Sequence, residues 1–381
     1  MYFKLVLAFT LAGLMLLRAV DVVWDLFALV AALIASFVGA SHVSRMLVRM
    51  INADRIQTVN KSVFITGCEV GFGRDAAIEL AHRGFTVFAA CASPDAPHVD
   101  FLKRTPNVTV LSLSVLNTED LSNAVMVVSN HPSELWAIVL AESLGFIGEV
   151  EWDVAQNLER MHEAHVAGPF RVVRAFLPLL RESKGRIITI GGFAGRLSFP
   201  GLVPYCMTKA ALISLSDGLR RECAKWGITV CTINPFHYKT VDTPPPPPPP
   251  VGRRRSSLSQ LSQAHLDVYG DEYLLNFKLI AERRLLLFAR QPHRAVVEDI
   301  VDALTHRYPL LNYNSAASGD VLLWTLLEIL PAEFTDAILN CVMGGRKPQP
   351  RLHTAVQPES SLAPMIGLTG SGVDNALFPR R

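Results

Sequence analysis

The chain reads as an α/β protein built on a doubly wound parallel sheet, preceded by an apolar helical region. Three observations predict this. From Lys61 to about Pro235, short apolar runs alternate with longer helical stretches. Those runs are continuously apolar, as strands covered on both faces are. A glycine-rich turn, Thr66-Gly67-Cys68-Glu69-Val70-Gly71-Phe72-Gly73, directly follows the first of them, Ser62-Val63-Phe64-Ile65.

Half of the 381 residues are apolar and mean hydropathy is +0.28, high for a soluble enzyme. The excess lies at the N-terminus. Residues 2–17 are almost wholly apolar apart from Lys4, and residues 22–43 form a second run interrupted by Asp25. About 20 apolar residues can span a bilayer. Arg45, Arg49 and Arg55 around its far end favour a cytoplasmic side there. No small-residue cleavage site follows the first run, and the second would remain as an anchor in any case. Residues 1–45 are therefore expected to be a membrane anchor, with a buried helical hairpin as the alternative.

Strands are expected at 62–66, 85–91, 108–113, 136–140, 186–191 and 228–233. Helical stretches at 73–83, 118–129, 154–180 and 204–225 fall between them, and the whole domain spans 56–344. Thr243 opens a run of seven prolines, 244–250, followed by Arg253-Arg254-Arg255-Ser256-Ser257. Such a run is polyproline II and joins neither a helix nor a central strand. Residues 243–257 are expected to be an exposed Pro/Arg-rich insertion, with partner docking or phosphorylation as the sharper reading. A helical region resumes over 267–308. Residues 321–343 are apolar again, broken at Pro331, and either cover a substrate pocket or lie on a membrane. The polar segment 345–381 is expected to be a disordered tail.

Net charge is only +2, which gives no argument for nucleic acid. The cysteines Cys68, Cys91, Cys206, Cys223, Cys231 and Cys341 are scattered, with no Cys-xx-Cys pair. Neither a disulfide framework nor a metal site is expected.

Two motifs carry chemistry. In the glycine turn, Gly67, Gly71 and Gly73 would let the backbone approach a dinucleotide diphosphate, with Thr66 and Phe72 beside them. The following helix start offers free N–H groups and a partial positive charge. The second motif is Tyr205-Cys206-Met207-Thr208-Lys209, a phenol and an ammonium one helical turn apart. A phenol titrates near pH 10, so it serves as an acid/base only when a nearby cation lowers its pKa. Lys209 can supply that cation.

In this order and at this distance the two motifs resemble the short-chain dehydrogenase/reductase family, a Rossmann-type fold. The spacing Gly-xxx-Gly-x-Gly departs from the general dinucleotide fingerprint and matches that family's version. The retinol and hydroxysteroid dehydrogenase branch, which also holds 3-hydroxybutyrate dehydrogenase, is the most similar. Further stretches carry the resemblance, among them Phe176-Leu177-Pro178-Leu179-Leu180 and Ser216-Asp217-Gly218-Leu219-Arg220-Arg221.

The resemblance implies a nicotinamide cofactor and interconversion of hydroxyl and carbonyl groups on a lipophilic small molecule, such as a steroid, sterol, ecdysteroid-type compound or retinoid. It implies Tyr205 as proton donor and acceptor, and Lys209 as the residue that lowers its pKa and binds the nicotinamide ribose. It also implies endoplasmic reticulum anchoring and a homodimer through the helices over 154–180 and 204–225. Several family positions are changed. The substrate-binding serine is Gly192, so restoring a hydroxyl by Gly192→Ser is expected to raise turnover. The relay asparagine is His165, which can still pass a proton. Asn-Asn-Ala-Gly is Leu140-Ala141-Glu142-Ser143, the aspartate near the adenine is Ser114, and Pro-Gly after the sixth strand is Pro235-Phe236. A catalytically degenerate protein that binds cofactor or ligand is the alternative, and a membrane-bound scaffold a third. After the second strand no Arg or Lys follows Ala90, while Asp95 does, which favours NAD(H) and leaves NADP(H) open.

Overall fold

The computed structural model describes residues 2–18, 21–114, 117–142, 144–145, 148–152, 155–236, 238, 267–270, 273, 277 and 293–343. The 243–257 insertion, the 345–381 tail and most of the expected helical stretch before His293 lie outside the described residues.

Seven strands form one sheet: β1 (Lys61–Thr66), β2 (Thr86–Cys91), β3 (Val108–Ser112), β4 (Glu134–Leu140), β5 (Arg186–Ile190), β6 (Thr229–Pro235) and β7 (Asn312–Ser315). Their order is β3-β2-β1-β4-β5-β6-β7, and every neighbouring pair is parallel. Successive side chains of a strand face opposite layers, which explains the unbroken apolar runs. Val63 and Ile65 pack into a layer with Ala76, Ala77, Leu80, Val296 and Ile300, whereas Phe64 joins Phe88, Ile138 and Phe176 on the other side. The Phe64 and Phe176 rings lie 4.4 Å apart. The chain adds β7 to the six strands expected from its apolar runs.

The described helices are α1 (Tyr2–Arg18), α2 (Asp21–Ile51), α3 (Gly71–His82), α4 (Asp100–Arg104), α5 (Thr118–Ser129), α6 (Ala155–His162), α7 (Gly168–Ser183), α8 (Val203–Cys223), α9 (Arg294–Thr305), α10 (Ser318–Ile329) and α11 (Ala332–Met343). The single helix expected over 154–180 is split by a π turn, Glu163–Ala167. Pro169 follows it and has no N–H to give the carbonyl of His165, so the helical register loosens there.

Helix α2 has 31 residues. Its segment Trp24–Ile51 has mean hydropathy 2.1, is not buried, and is long and apolar enough to cross a membrane by length and composition. Its last turn is tied to the domain. Arg49 pairs with Asp302 of α9 at 2.6 Å and lies over the Tyr313 ring, and Arg55 reaches the same carboxylate at 3.1 Å. Arg49, read as a flanking charge, is thus half of an ion pair. Helix α1 touches the domain's end, with Phe3 edge-on to Phe334 of α11 at 4.6 Å. Helix α10 has two apolar faces. Trp324 and Leu327 are buried, while Leu322, Leu323, Leu326 and Ile329 are exposed.

Candidate active site

The carboxyl ends of β1, β4, β5 and β6 bring the two motifs together, the usual position for a ligand in an open parallel sheet. Gly67 and Gly71 both have φ of +67°, where a side chain would be strained. Ala141, just past β4, fills the space beside Gly67, and a Cβ there would lie 2.8 Å from the Ala141 carbonyl oxygen. Thr66 helps hold this contact, its hydroxyl accepting a 3.3 Å hydrogen bond from the Ala141 N–H. Helix α3 starts behind Val70, which offers no side-chain cap. Its first N–H groups are therefore left for an anion. Phe72 packs edge-on to Tyr238 at 6.3 Å. A tight glycine cradle ending on an uncapped helix start fits a dinucleotide diphosphate.

Two carboxylates that sequence reasoning did not single out border this cradle. Glu69, inside the turn, accepts a hydrogen bond from the Ala92 N–H just beyond β2. Glu142, two residues past β4, packs its backbone against the turn, its Cα 2.9 Å from where a Cβ on Gly67 would lie. Burial pushes the Glu142 carboxyl up to about 7, the Glu69 charge adds to this, and Lys209 opposes it. An acidic residue within the turn, and one just past a strand's carboxyl end, were the signals available in the sequence.

Asp95, the carboxylate expected to favour NAD(H), stands after β2. It sits in a turn with its side chain 97% exposed and pairs with Lys103 at 3.3 Å. Pro94 and the turn carry it away from the sheet, and Glu69 is the carboxylate held at the end of β2.

Tyr205 and Lys209 lie on α8, one turn apart as expected. The lysine is buried, and its Nζ donates to the Ile190 carbonyl at 3.1 Å and to the Glu142 carbonyl at 3.5 Å. It is 5.7 Å from the centre of the Tyr205 ring. Burial pulls the ammonium down to about 8, with Glu142 opposing. Burial also pushes the Tyr205 phenol up to about 12, with a further push from Cys206. The Lys209 ammonium is aimed at the Ile190 and Glu142 carbonyls rather than at the phenol oxygen.

His165 stands in the π turn, fully buried, its ring edge-on to Tyr205 at 5.7 Å. Thr208 spends its own proton on the Tyr205 carbonyl at 2.9 Å, so it accepts from His165 Nδ1, also at 2.9 Å. Nε2 then accepts from the Leu144 N–H at 3.2 Å. This network assigns a neutral ring with both nitrogens engaged. Burial, then Lys209, pulls its pKa down to about 2. The residue ties the segment after β4 to the Tyr205 turn.

Gly192 has φ of +113° at the start of a short turn, Phe193–Gly195. A Cβ there would meet only the Pro235 carbonyl oxygen at 3.6 Å, so space exists and backbone conformation is the obstacle. Thr189 cannot substitute for the serine, being buried at 2.7 Å from Ser216. Ser198 lines a separate cavity of ≈ 590 Å³ with Arg196, Glu328 and Leu339. Phe236, in the place of the family's glycine, packs 5.8 Å from Phe193 and 5.5 Å from Trp324, giving this end of the sheet an aromatic wall.

Comparison with known proteins agrees with this geometry. A family model described as short chain dehydrogenase matches residues 61–244. Retinol dehydrogenase 5 of Homo sapiens is 31% identical over 288 residues, covering 74% of this chain and 89% of that protein. The 11-beta-hydroxysteroid dehydrogenase type 2 of Oryctolagus cuniculus is 29% identical over 272 residues, covering 70% and 66%. Among solved structures, a short-chain dehydrogenase from Streptomyces avermitilis superposes with a TM-score of 0.56 at 26% identity, over 72% of this chain and 96% of that one.

Proposed function

This chain belongs to the short-chain dehydrogenase family, in its retinol and hydroxysteroid branch, and we propose that it is a membrane-associated oxidoreductase interconverting hydroxyl and carbonyl groups on a lipophilic substrate with a nicotinamide cofactor. The observation that carries this reading is the placement of Tyr205 and Lys209 beside the glycine cradle at the carboxyl ends of β1, β4 and β5. The nicotinamide supplies or accepts the hydride when bound. Tyr205 gives a proton to, or takes one from, the substrate oxygen. Lys209 balances the phenolate and holds the sugar next to it. His165 fixes the Tyr205 turn. Gly67, Gly71 and Gly73 hold the diphosphate, with Thr66 and Phe72 shaping the cradle. Phe193, Phe236 and Trp324 exclude water and favour an apolar substrate, such as a steroid, sterol, ecdysteroid-type compound or retinoid. NAD(H) is preferred to NADP(H), because the Glu69 carboxylate at the end of β2 would repel a 2′-phosphate.

Helices α1 and α2 anchor the protein in the endoplasmic reticulum membrane, and the exposed face of α10 lies on the same bilayer. Two copies pair through α7 and α8. A second reading, a ligand- or cofactor-binding protein without turnover, is favoured by Gly192, which offers the substrate no hydroxyl.

The test uses the full chain in detergent, with NADH and NADPH binding by calorimetry and turnover on a steroid and retinoid panel. The expected result is tighter NADH than NADPH and turnover of at least one apolar alcohol or ketone. Cofactor binding without turnover would establish the second reading, and binding of neither cofactor would reject both dehydrogenase and cofactor carrier. Carbonate extraction that releases the chain into the soluble fraction would reject the anchor.

A further inference from the structure

Trp324 of α10 carries a hydrogen-bond donor that the free protein leaves unused. With Leu327, one turn along the helix, it forms the buried face of α10, while Leu322, Leu323 and Leu326 are exposed. Trp324 is only 8% exposed, and its Nε1 is buried without a hydrogen-bond partner. Trp136 shows the ordinary outcome for a covered indole, giving its N–H to the Leu304 carbonyl at 2.9 Å. Trp152 is also unpartnered, but it belongs to a separate cluster with Tyr269. A buried N–H without an acceptor is a standing cost to the free protein, and an incoming acceptor would relieve it.

Three aromatic rings enclose this donor. The indole lies 5.9 Å from Phe193, 5.2 Å from Phe199 and 5.5 Å from Phe236. Phe193 follows Gly192, which stands where the family's serine meets the substrate, and Phe236 follows β6. Arg196, 4.0 Å from Glu328, joins the same turn to α10. Apolar rings around one polar atom are the usual make-up of a small-molecule site. Phe199 is half-buried on irregular chain after Gly195, so it is the ring that can yield to an incoming molecule. Among the described residues, the ring contact of Tyr205 is with His165 and those of Trp324 are with the three phenylalanines. The phenol and the indole therefore stand apart.

We propose that Trp324 is a specificity-determining residue, its indole N–H donating a hydrogen bond to a second oxygen of the apolar substrate, apart from the oxygen that Tyr205 serves. This rests on the lipophilic-substrate reading above and narrows it. The ligand is a carbon skeleton with two separate oxygens, such as a steroid diketone or hydroxyketone, in preference to a single-oxygen compound such as retinol. A skeleton without the second oxygen leaves the donor unpaired in the complex, and the site discriminates against it.

The test measures binding by calorimetry to the full chain in detergent with saturating NADH. The probes are androstanedione and the two androstanones that each lack one of its oxygens. Wild-type protein should bind the diketone about tenfold tighter than either monoketone. Trp324→Phe keeps an aromatic ring and removes the donor. Its preference for the diketone over one monoketone should fall to within about twofold, while the preference over the other persists. The wild-type comparison needs no variant, so a folding defect in Trp324→Phe would not hide a failure. A wild-type preference below about threefold, or preferences that Trp324→Phe leaves unchanged, would overturn the role of Trp324 and leave the dehydrogenase reading standing. Wild-type protein that binds NADH but none of the three ketones would reject the two-oxygen steroid ligand and this role with it. Failure to bind NADH as well would reject the cofactor reading.

Discussion

The carbonyl oxygen of Gly67 occupies the place where a side chain on Gly73 would have to begin. The other side is closed as well, since the same built Cβ lies 3.2 Å from that of Ala141. Turn, helix start and the end of β4 are thus packed without slack. We expect Gly73→Ala to force the turn open at a cost of about 1–3 kcal/mol, the usual range for overpacking. Thermal unfolding should show a lower Tm, and calorimetry weaker cofactor binding. An unchanged Tm would mean the cradle is looser than this packing implies.

His165 gives the fold an acid-sensitive point. Its folded pKa lies near 2, below the ordinary 6.5. Below about pH 6.5 the unfolded chain takes up a proton that the folded protein refuses, so stability falls with pH. Between about pH 6.5 and pH 5 this residue alone should remove about 2 kcal/mol. His165→Asn should flatten that part of the profile in urea titrations and lower stability at neutral pH by about 1–3 kcal/mol, because Asn cannot reach both Thr208 and Leu144. An unchanged acid slope would show that His165 is protonated or exposed in solution.

Asp302 is the point where α2 meets the domain. Burial pushes its carboxyl up, but the Tyr313 hydroxyl, Arg49 and Arg55 together push it further down, below the ordinary value. Such a group stabilises the fold above the ordinary carboxyl range, and that stability is lost as pH falls through the depressed pKa. Asp302→Asn leaves Arg49 and Arg55 without their counter-ion and should cost about 2–4 kcal/mol, read as a lower denaturant midpoint. A shift within about 0.5 kcal/mol would show that Asp302 does not hold the last turn of α2 to α9.

Much of the fold was legible because buried parallel strands have an unmistakable composition. Val63-Phe64-Ile65 and Ile187-Ile188 could hardly be anything else, and the sheet follows once the connecting stretches read as helices. Strand β7 was missed because Asn312-Tyr313-Asn314-Ser315 is short and polar. It holds its place through tertiary bonds, such as the Tyr313 hydroxyl to Asp302 at 2.8 Å and Ser315 to Asp299 at 2.5 Å. Tyr205, Lys209 and the glycines could be read from local spacing. The position of Asp95 could not, because whether a carboxylate after a strand faces a ligand or a solvent turn depends on the path after Pro94. Glu69 and Glu142 escaped for a related reason, since each meets a segment distant in sequence, Glu69 at the Ala92 N–H and Glu142 at the Gly67 backbone and the Lys209 ammonium.

The sequence invites Gly192→Ser as a repair of the missing hydroxyl. At φ of +113° the new residue would be strained, at about 1–3 kcal/mol. We expect a lower Tm and no gain in kcat/KM. A rise of about tenfold or more would show that the turn can relax into a conformation a serine accepts.

The central claim is that Tyr205 is the proton donor and acceptor of a dehydrogenase. Its measurement is Tyr205→Phe, read as kcat on a turned-over substrate beside NADH affinity by calorimetry. Loss of the acid/base group should lower kcat by about 10²–10⁴. NADH affinity should stay within about twofold, because the phenol moves a proton and takes no part in the glycine cradle. Turnover that survives the substitution would contradict the account and leave the Tyr205–Lys209 pair without a catalytic role.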